Sequence, residues 1–157
     1  MDETARLAAI EAIKQLKARY FRTLDARDLA GYAGVFTPEA RIDVRGSVSD
    51  SEGESSIEGF DADAVIVGGE AMAAFVARIT VGVTTVHHGH MPEIEILSAD
   101  NARAIWAFED RIWFPDGSPF RMTHGFGHYH ETYALRDGQW RIDSMRITRI
   151  HLENHPW

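Results

Sequence analysis

Residues 121–135 read Arg121-Met-Thr-His-Gly-Phe-Gly-His-Tyr-His-Glu-Thr-Tyr-Ala-Leu135, and residues 139–152, Gln139-Trp-Arg-Ile-Asp-Ser-Met-Arg-Ile-Thr-Arg-Ile-His-Leu152, follow after Arg136-Asp137-Gly138. Apolar and polar side chains alternate through both runs, which is the period of a strand. The Asp-Gly between them is a hairpin signal, because both residues tolerate the positive φ that a tight reversal demands. Strands this long exceed the usual length and must bend to stay in a compact domain, and Gly125 and Gly127 offer places to bend. A bent sheet with helices in its concave side forms a cone with a pocket inside.

The rest of the chain agrees. Strand-like runs precede the hairpin at 84–89, 93–97 and 102–114, separated by turn residues at 98–101 and 115–118. Before them the period is helical. Leu7, Ile10, Ile13, Leu16, Tyr20 and Leu24 recur at steps of three or four, predicting an amphipathic helix over 3–24. Asp28 can cap a second helix with Leu29, Tyr32, Val35 and Phe36 on its buried side, stopped by Thr37-Pro38. A short strand is expected over 40–45 and a third helix over 70–79. Residues 46–60, rich in Ser, Gly and acid, read as a polar loop insertion. Helices first and hairpins second make an α+β domain, a cone-shaped barrel whose strongly curved, mostly antiparallel sheet wraps around N-terminal helices. The expectation is one domain over 1–157.

The chain has 157 residues, 45% of them hydrophobic, with 16 Lys and Arg against 24 Asp and Glu for a net charge of −8. That balance argues against a nucleic-acid partner or an anionic membrane surface. With no Cys, disulfide frameworks, thiolate metal sites and cysteine nucleophiles are excluded, and a reducing, cytoplasmic location is the simplest expectation. No phosphate-cradling glycine loop, HExxH or serine nucleophile elbow is present.

Three positions invite chemistry. Asp25 follows the apolar stripe of the first helix, five residues beyond Tyr20 and about 140° around from it if the helix continues. On pattern alone Tyr20 is a core residue and Asp25 a helix-end carboxylate. In Val86-His87-His88-Gly89-His90, alternation sends His87 and His88 to opposite faces, so one points inward, where a neutral imidazole could act as a general base. Asp110 shares a face with Trp106, Phe108 and Ile112, an acid on an apolar stripe. A buried carboxylate must be paired, protonated or useful. As a structural group it would pair with Arg121, Arg146 or Arg149. Two groupings, His88 and His90 with Glu93, and His128 and His130 with Glu131, are permitted as metal ligands but not specified as such.

Residues 18–28 (Ala18-Arg-Tyr-Phe-Arg-Thr-Leu-Asp-Ala-Arg-Asp28), Val35-Phe-Thr-Pro-Glu-Ala40, Thr85-Val-His-His88 and Tyr133-Ala-Leu-Arg-Asp-Gly-Gln-Trp-Arg-Ile142 resemble the SnoaL-like branch of the nuclear transport factor two-like superfamily. Within it the chain is similar to small lyases: scytalone dehydratase, bile acid 7α-dehydratase and hexachlorocyclohexane dehydrochlorinase. That resemblance implies an enzyme working without cofactor or metal, with His87 as base, Asp25 holding it, and Tyr20 and Asp110 polarising or protonating a departing hydroxyl. It implies a pocket lined by Phe36, Trp106, Phe108, His128, Met145 and Arg146 for a small hydrophobic aromatic, terpenoid or steroid-like alcohol. It implies self-association as a homodimer or homotrimer. Double-bond isomerisation, formaldehyde-releasing carbon–carbon cleavage, a non-catalytic binding or assembly module, and a metal-dependent enzyme using His-x-His remain the alternatives.

Overall fold

In the computed structural model, which describes residues 1–48 and 65–157, helix α1 spans Glu3–Asp25. Its start is set by Asp2, whose carboxylate accepts the free amide of Ala5 at 2.8 Å. Its stripe is buried from Ile13 through Leu16 and Tyr20 to Leu24, and Lys17 is buried with them. The helix ends where Arg27 adopts a left-handed φ of 57° and the Asp28 amide turns back to the carbonyl of Thr23 at 2.9 Å.

Asp28 caps α2 (Leu29–Ala33) through the amide of Gly31. This helix is shorter than its apolar pattern predicts. Val35 and Phe36 are buried, but they lead into strand β1 (Phe36–Asp43), and Leu29 is partly exposed. Pro38 disfavours helix in the residue before it, and the Val35 carbonyl is claimed by the amide of Ile142. Arg45, expected to end a strand over 40–45, and residues 46–48, expected to begin a loop, form the short helix α3 (Arg45–Val48), and residues 49–60 of that expected insertion lie outside the described residues. A two-residue strand, β2 (Ile66–Val67), has no signal in the sequence. Helix α4 (Gly69–Ile79) follows Gly68, whose φ of 86° and close approach to the Pro38 carbonyl exclude a side chain.

Four long strands complete the domain: β3 (Thr84–Ile96), β4 (Asn101–Trp113), β5 (Met122–Arg136) and β6 (Gln139–His155). The sheet order is β2-β1-β6-β5-β4-β3. From β3 to β6 the pairing is antiparallel, β1 runs parallel to β6, and β2 is antiparallel to β1. The two strands expected at 84–89 and 93–97 are one, because the register shifts between Gly89 and Pro92 without breaking the ladder. A second shift falls between Phe126 and Gly127, and there the β6 carbonyl of Thr148 comes so near that a Cβ on Gly127 would lie 2.1 Å from it.

Alternation gives the sheet two unlike faces. Inward point Trp106, Phe108 and Asp110 of β4, Tyr129, Glu131 and Tyr133 of β5, and Met145, Ile147 and Arg149 of β6, packed against α1, α2 and α4. Outward point Glu109, His124, His128, His130 and Arg146. Among the described residues no helix is long and apolar enough to cross a membrane.

Candidate active site

The last residue of α1 meets the first residues of β3, the strand at one edge of the sheet. Asp25 accepts three hydrogen bonds there: from the Thr85 hydroxyl to Oδ1 at 2.9 Å, from the His87 amide to Oδ2 at 2.9 Å, and from the His87 ring at Nδ1 to Oδ1 at 2.7 Å. A carboxylate only accepts, so Nδ1 carries the proton in this contact, and in the neutral ring it is Nε2 that keeps a lone pair. The His87 side chain is 10% exposed. Its Nε2 faces inward, 3.9 Å from Oδ2 of Asp110, too far for a hydrogen bond.

Asp110 is gripped from its other side. Nη1 and Nη2 of Arg149 donate to Oδ1 and Oδ2 at 2.8 and 2.7 Å, a bidentate pair with both side chains almost fully buried. The Arg149 guanidinium also lies 5.1 Å from the ring centroid of Phe108, and its Nε is buried without a protein partner among the described residues. Phe21 stacks on His87 with ring centroids 6.3 Å apart and planes 15° from parallel. Gly89 makes room for it, since a Cβ there would lie 2.5 Å from Cε2 of Phe21.

The structure thus brings Asp25, His87 and Asp110 together, and it separates Tyr20 from them. The helix runs unbroken through residue 25, so Tyr20 and Asp25 point to different sides of α1. Tyr20 is 1% exposed and packs among Phe21, Tyr32, Phe36 and Tyr129. Burial above all, and then Tyr129, push its phenol well above the usual range. Asp110 is engaged as an acceptor on both oxygens, which does not suit the proton-donor role expected of it.

Of the expected lining, Phe36, Trp106, Phe108 and Met145 lie on the inner side and are buried in the core. His128 and Arg146 do not join them. Their neighbours Tyr129 and Met145 take the inward positions of β5 and β6, so both point outward, and Arg149, two alternations beyond Met145, is the arginine that enters the site. The metal groupings separate in the same way. Glu131 turns inward to Lys17, His130 bonds Thr148 at 3.0 Å, and His88 faces Glu109 at 3.5 Å, which also takes Nε2 of His124 at 2.7 Å. His124 holds the Glu109 carboxyl below its usual range. Among the described residues no group of three or more His, Asp and Glu could hold a metal ion.

A second buried polar cluster has no counterpart in the sequence reading. Lys17 Nζ donates to Glu131 Oε1 at 2.5 Å, the Tyr133 hydroxyl donates to Glu131 Oε2, and Trp106 Nε1 donates to the Tyr133 oxygen at 2.8 Å. The signal was present: Lys17 interrupts the apolar stripe of α1, and Glu131 interrupts that of β5, as Asp110 does on β4. A groove of about 930 Å3 crosses the outer face of the sheet, lined in part by Glu93, Glu95, Arg103, His130 and Arg146. Another of about 450 Å3 lies between α1 and the β5–β6 hairpin. Neither includes Asp25, His87 or Asp110.

The same architecture recurs in solved structures. A hexachlorocyclohexane dehydrochlorinase, type 2, superimposes with a TM-score of 0.77 at 19% identity, covering 98% of this chain and 93% of that one. A protein from Novosphingobium aromaticivorans assigned as a scytalone dehydratase gives 0.77 at 17% identity, with 98% and 92% covered. A Mycobacterium tuberculosis protein of unknown function gives 0.66 at 25% identity, with 91% and 77% covered. The family model of the SnoaL-like domain matches residues 5–146, nearly the whole of the fold described above, and the chain therefore belongs to the SnoaL-like family.

Proposed function

We propose that residues 1–157 act as one SnoaL-like domain and that it is a cofactor-independent lyase eliminating water from a small hydrophobic aromatic, terpenoid or steroid-like alcohol. The observation that carries this reading is the Asp25–His87 pair, with Nδ1 held at 2.7 Å by a carboxylate and Nε2 turned toward the inner face. An imidazole so oriented takes a proton from a carbon next to a carbonyl or aryl group through Nε2, and Asp25 stabilises the resulting cation. The same Nε2–H then delivers that proton to the departing hydroxyl as the carbon–oxygen bond breaks. A double bond and one water result, and the imidazole returns to its starting state. Asp110 and Arg149 form the polar wall opposite, where the guanidinium faces charge developing on the activating group. Phe21 and Phe108 supply the apolar surroundings. The names of the structural neighbours, a dehydrochlorinase and a scytalone dehydratase, are compatible with elimination in this fold. Self-association through the outer sheet face and a cytoplasmic location belong to the same reading.

The test is mass-spectrometric analysis of wild type, His87→Ala and Asp25→Asn incubated with arylpropane diols, steroid and terpenoid alcohols and β-hydroxy carbonyl compounds, with chelator present. Loss of water by wild type, reduced about a hundredfold or more in both variants, is the expected result. Loss of formaldehyde, or a product of unchanged mass, would move the assignment to carbon–carbon cleavage or isomerisation. A wild type that binds members of the panel and converts none would replace the enzyme by a binding module.

A further inference from the structure

Lys17, Phe21 and Asp25 follow one another at steps of four along α1. Steps of four keep side chains in one row, drifting by about 40° each time. Each member of the row meets a different part of the sheet. Lys17 bonds Glu131 of β5, Phe21 touches Tyr129 of β5 at a centroid distance of 5.9 Å and stacks on His87 of β3, and Asp25 holds His87.

The Lys17 end of the row is locked from several directions. Its side chain is 1% exposed and that of Glu131 is 0% exposed. Glu131 is fixed in turn by the Tyr133 hydroxyl, and Tyr133 by Trp106 of β4. Above the pair the ammonium lies 3.5 Å from the ring centroid of Tyr129 and 4.0 Å from that of Tyr20, so aromatic faces take up its remaining charge. One residue of the helix is thereby tied to two neighbouring strands.

Stability does not require such an arrangement, because apolar side chains of similar volume commonly replace a buried ion pair at no loss. Position does. Apolar contacts tolerate a small slide of one element along another, whereas a charge-assisted hydrogen bond to a fixed carboxylate is sensitive to distance and angle. Two turns further on, Asp25 must meet both the amide and the ring of His87, and a small slide of α1 would misalign both bonds.

We propose that Lys17 and Glu131 are a positioning pair for the active site: they set the axial position of α1 and so keep Asp25 in register with His87. Lys17 touches no reacting atom, and its role is exerted through the helix. The proposal rests on the Asp25–His87 pair being the working centre, and its test reads that pair directly rather than through turnover.

In protein labelled with 15N-histidine, the Nδ1 proton of His87 is expected far downfield and slow to exchange with water, and it is assigned by its loss in His87→Gln and Asp25→Asn. The decisive variant is Lys17→Met/Glu131→Leu, with Tyr133→Phe, which removes one bond to Glu131 and keeps the ring, as a milder companion. The double variant should keep the native circular dichroism and a cooperative melt while the resonance disappears or exchanges about tenfold faster, the factor expected from loosening by one ordinary hydrogen bond. A folded double variant with unchanged resonance and exchange would overturn the proposal and leave the pair purely structural. If the double variant does not fold, Tyr133→Phe decides: faster exchange supports the positioning role, and an unchanged rate overturns it. A wild type without the resonance would overturn the Asp25–His87 reading itself, and the positioning role with it.

Discussion

Asp110 and Arg149 form a bidentate pair, and it exists because the residue opposite Asp110 on β5 is Gly125. A Cβ at that position would lie 2.2 Å from Nη1 of Arg149 and 2.5 Å from Oδ1 of Asp110. Gly125→Ala should therefore push the pair apart. Removing one partner of a buried ion pair costs about 3–5 kcal/mol, and forcing the partners apart should approach that range. The measurement is a double-mutant cycle with Arg149→Met by chemical denaturation. The methyl group should cost much less once the guanidinium is gone. Strict additivity would show that it does its damage elsewhere.

Asp25 takes three donors, and they are not equal. Thr85 only steadies the carboxylate, while the His87 ring depends on it for the tautomer that leaves Nε2 free. On whatever compound the wild type converts, Thr85→Val should lower kcat/KM by a few-fold, and Asp25→Asn by about a hundredfold or more. Equal losses would mean that the carboxylate's position, rather than its charge and acceptor character, is what matters.

The stacking of Phe21 on His87 depends on Gly89. Gly89→Ala places a methyl group 2.5 Å from Cε2 of Phe21 and should destabilise the fold by about 1–3 kcal/mol, the usual cost of overpacking. Combined with Phe21→Leu, which shortens the obstructing side chain, the loss should be smaller than from Gly89→Ala alone. Urea unfolding of the three variants measures this, and a double variant worse than the sum of its parts would rule out the Phe21 clash as the cause.

Strict periodicity made most of the architecture legible. The stripe of α1 and the alternation of β4, β5 and β6 needed no tertiary information, and the helix, expected over 3–24, ends one residue later at Asp25. What escaped depended on distant partners. The parallel pairing of β1 with β6 joins segments about a hundred residues apart, and it takes Phe36 out of the expected helix into a strand, with Val35 in the turn that leads there. The two halves of β3 looked separate because Gly89 and Pro92 end a regular strand locally, and only the β4 ladder carries the chain across the shift. In the site, one acid on an apolar stripe pointed to Asp110, yet Lys17 breaks its stripe in the same manner and carried no expectation, and Glu131 was weighed only as a metal ligand beside His128 and His130 rather than as a buried partner for it. Arg146 was expected by resemblance where Arg149 stands, although the alternation of Met145 and Ile147 already put residue 149 on the inner face.

The buried lysine gives the protein a recognisable response to alkaline pH. Burial, outweighing the attraction of Glu131, lowers Lys17 from 10.5 to about 8 in the folded state. Below that value Lys17 is protonated in both states and contributes no slope. From about pH 8 up to its unfolded value, the folded chain has released a proton that the unfolded chain still holds, so stability rises with pH. The tyrosines act in the opposite sense. Burial, the leading cause at each, raises Tyr20, Tyr32, Tyr129 and Tyr133 well above 10.0, so as pH passes that value the unfolded chain ionises first and stability falls. Denaturation measured at a series of pH values should show stability climbing from about pH 8 and turning down near the tyrosine range. Lys17→Met should abolish the climb and leave the fall. A climb that survives in Lys17→Met would mean that another group releases the proton.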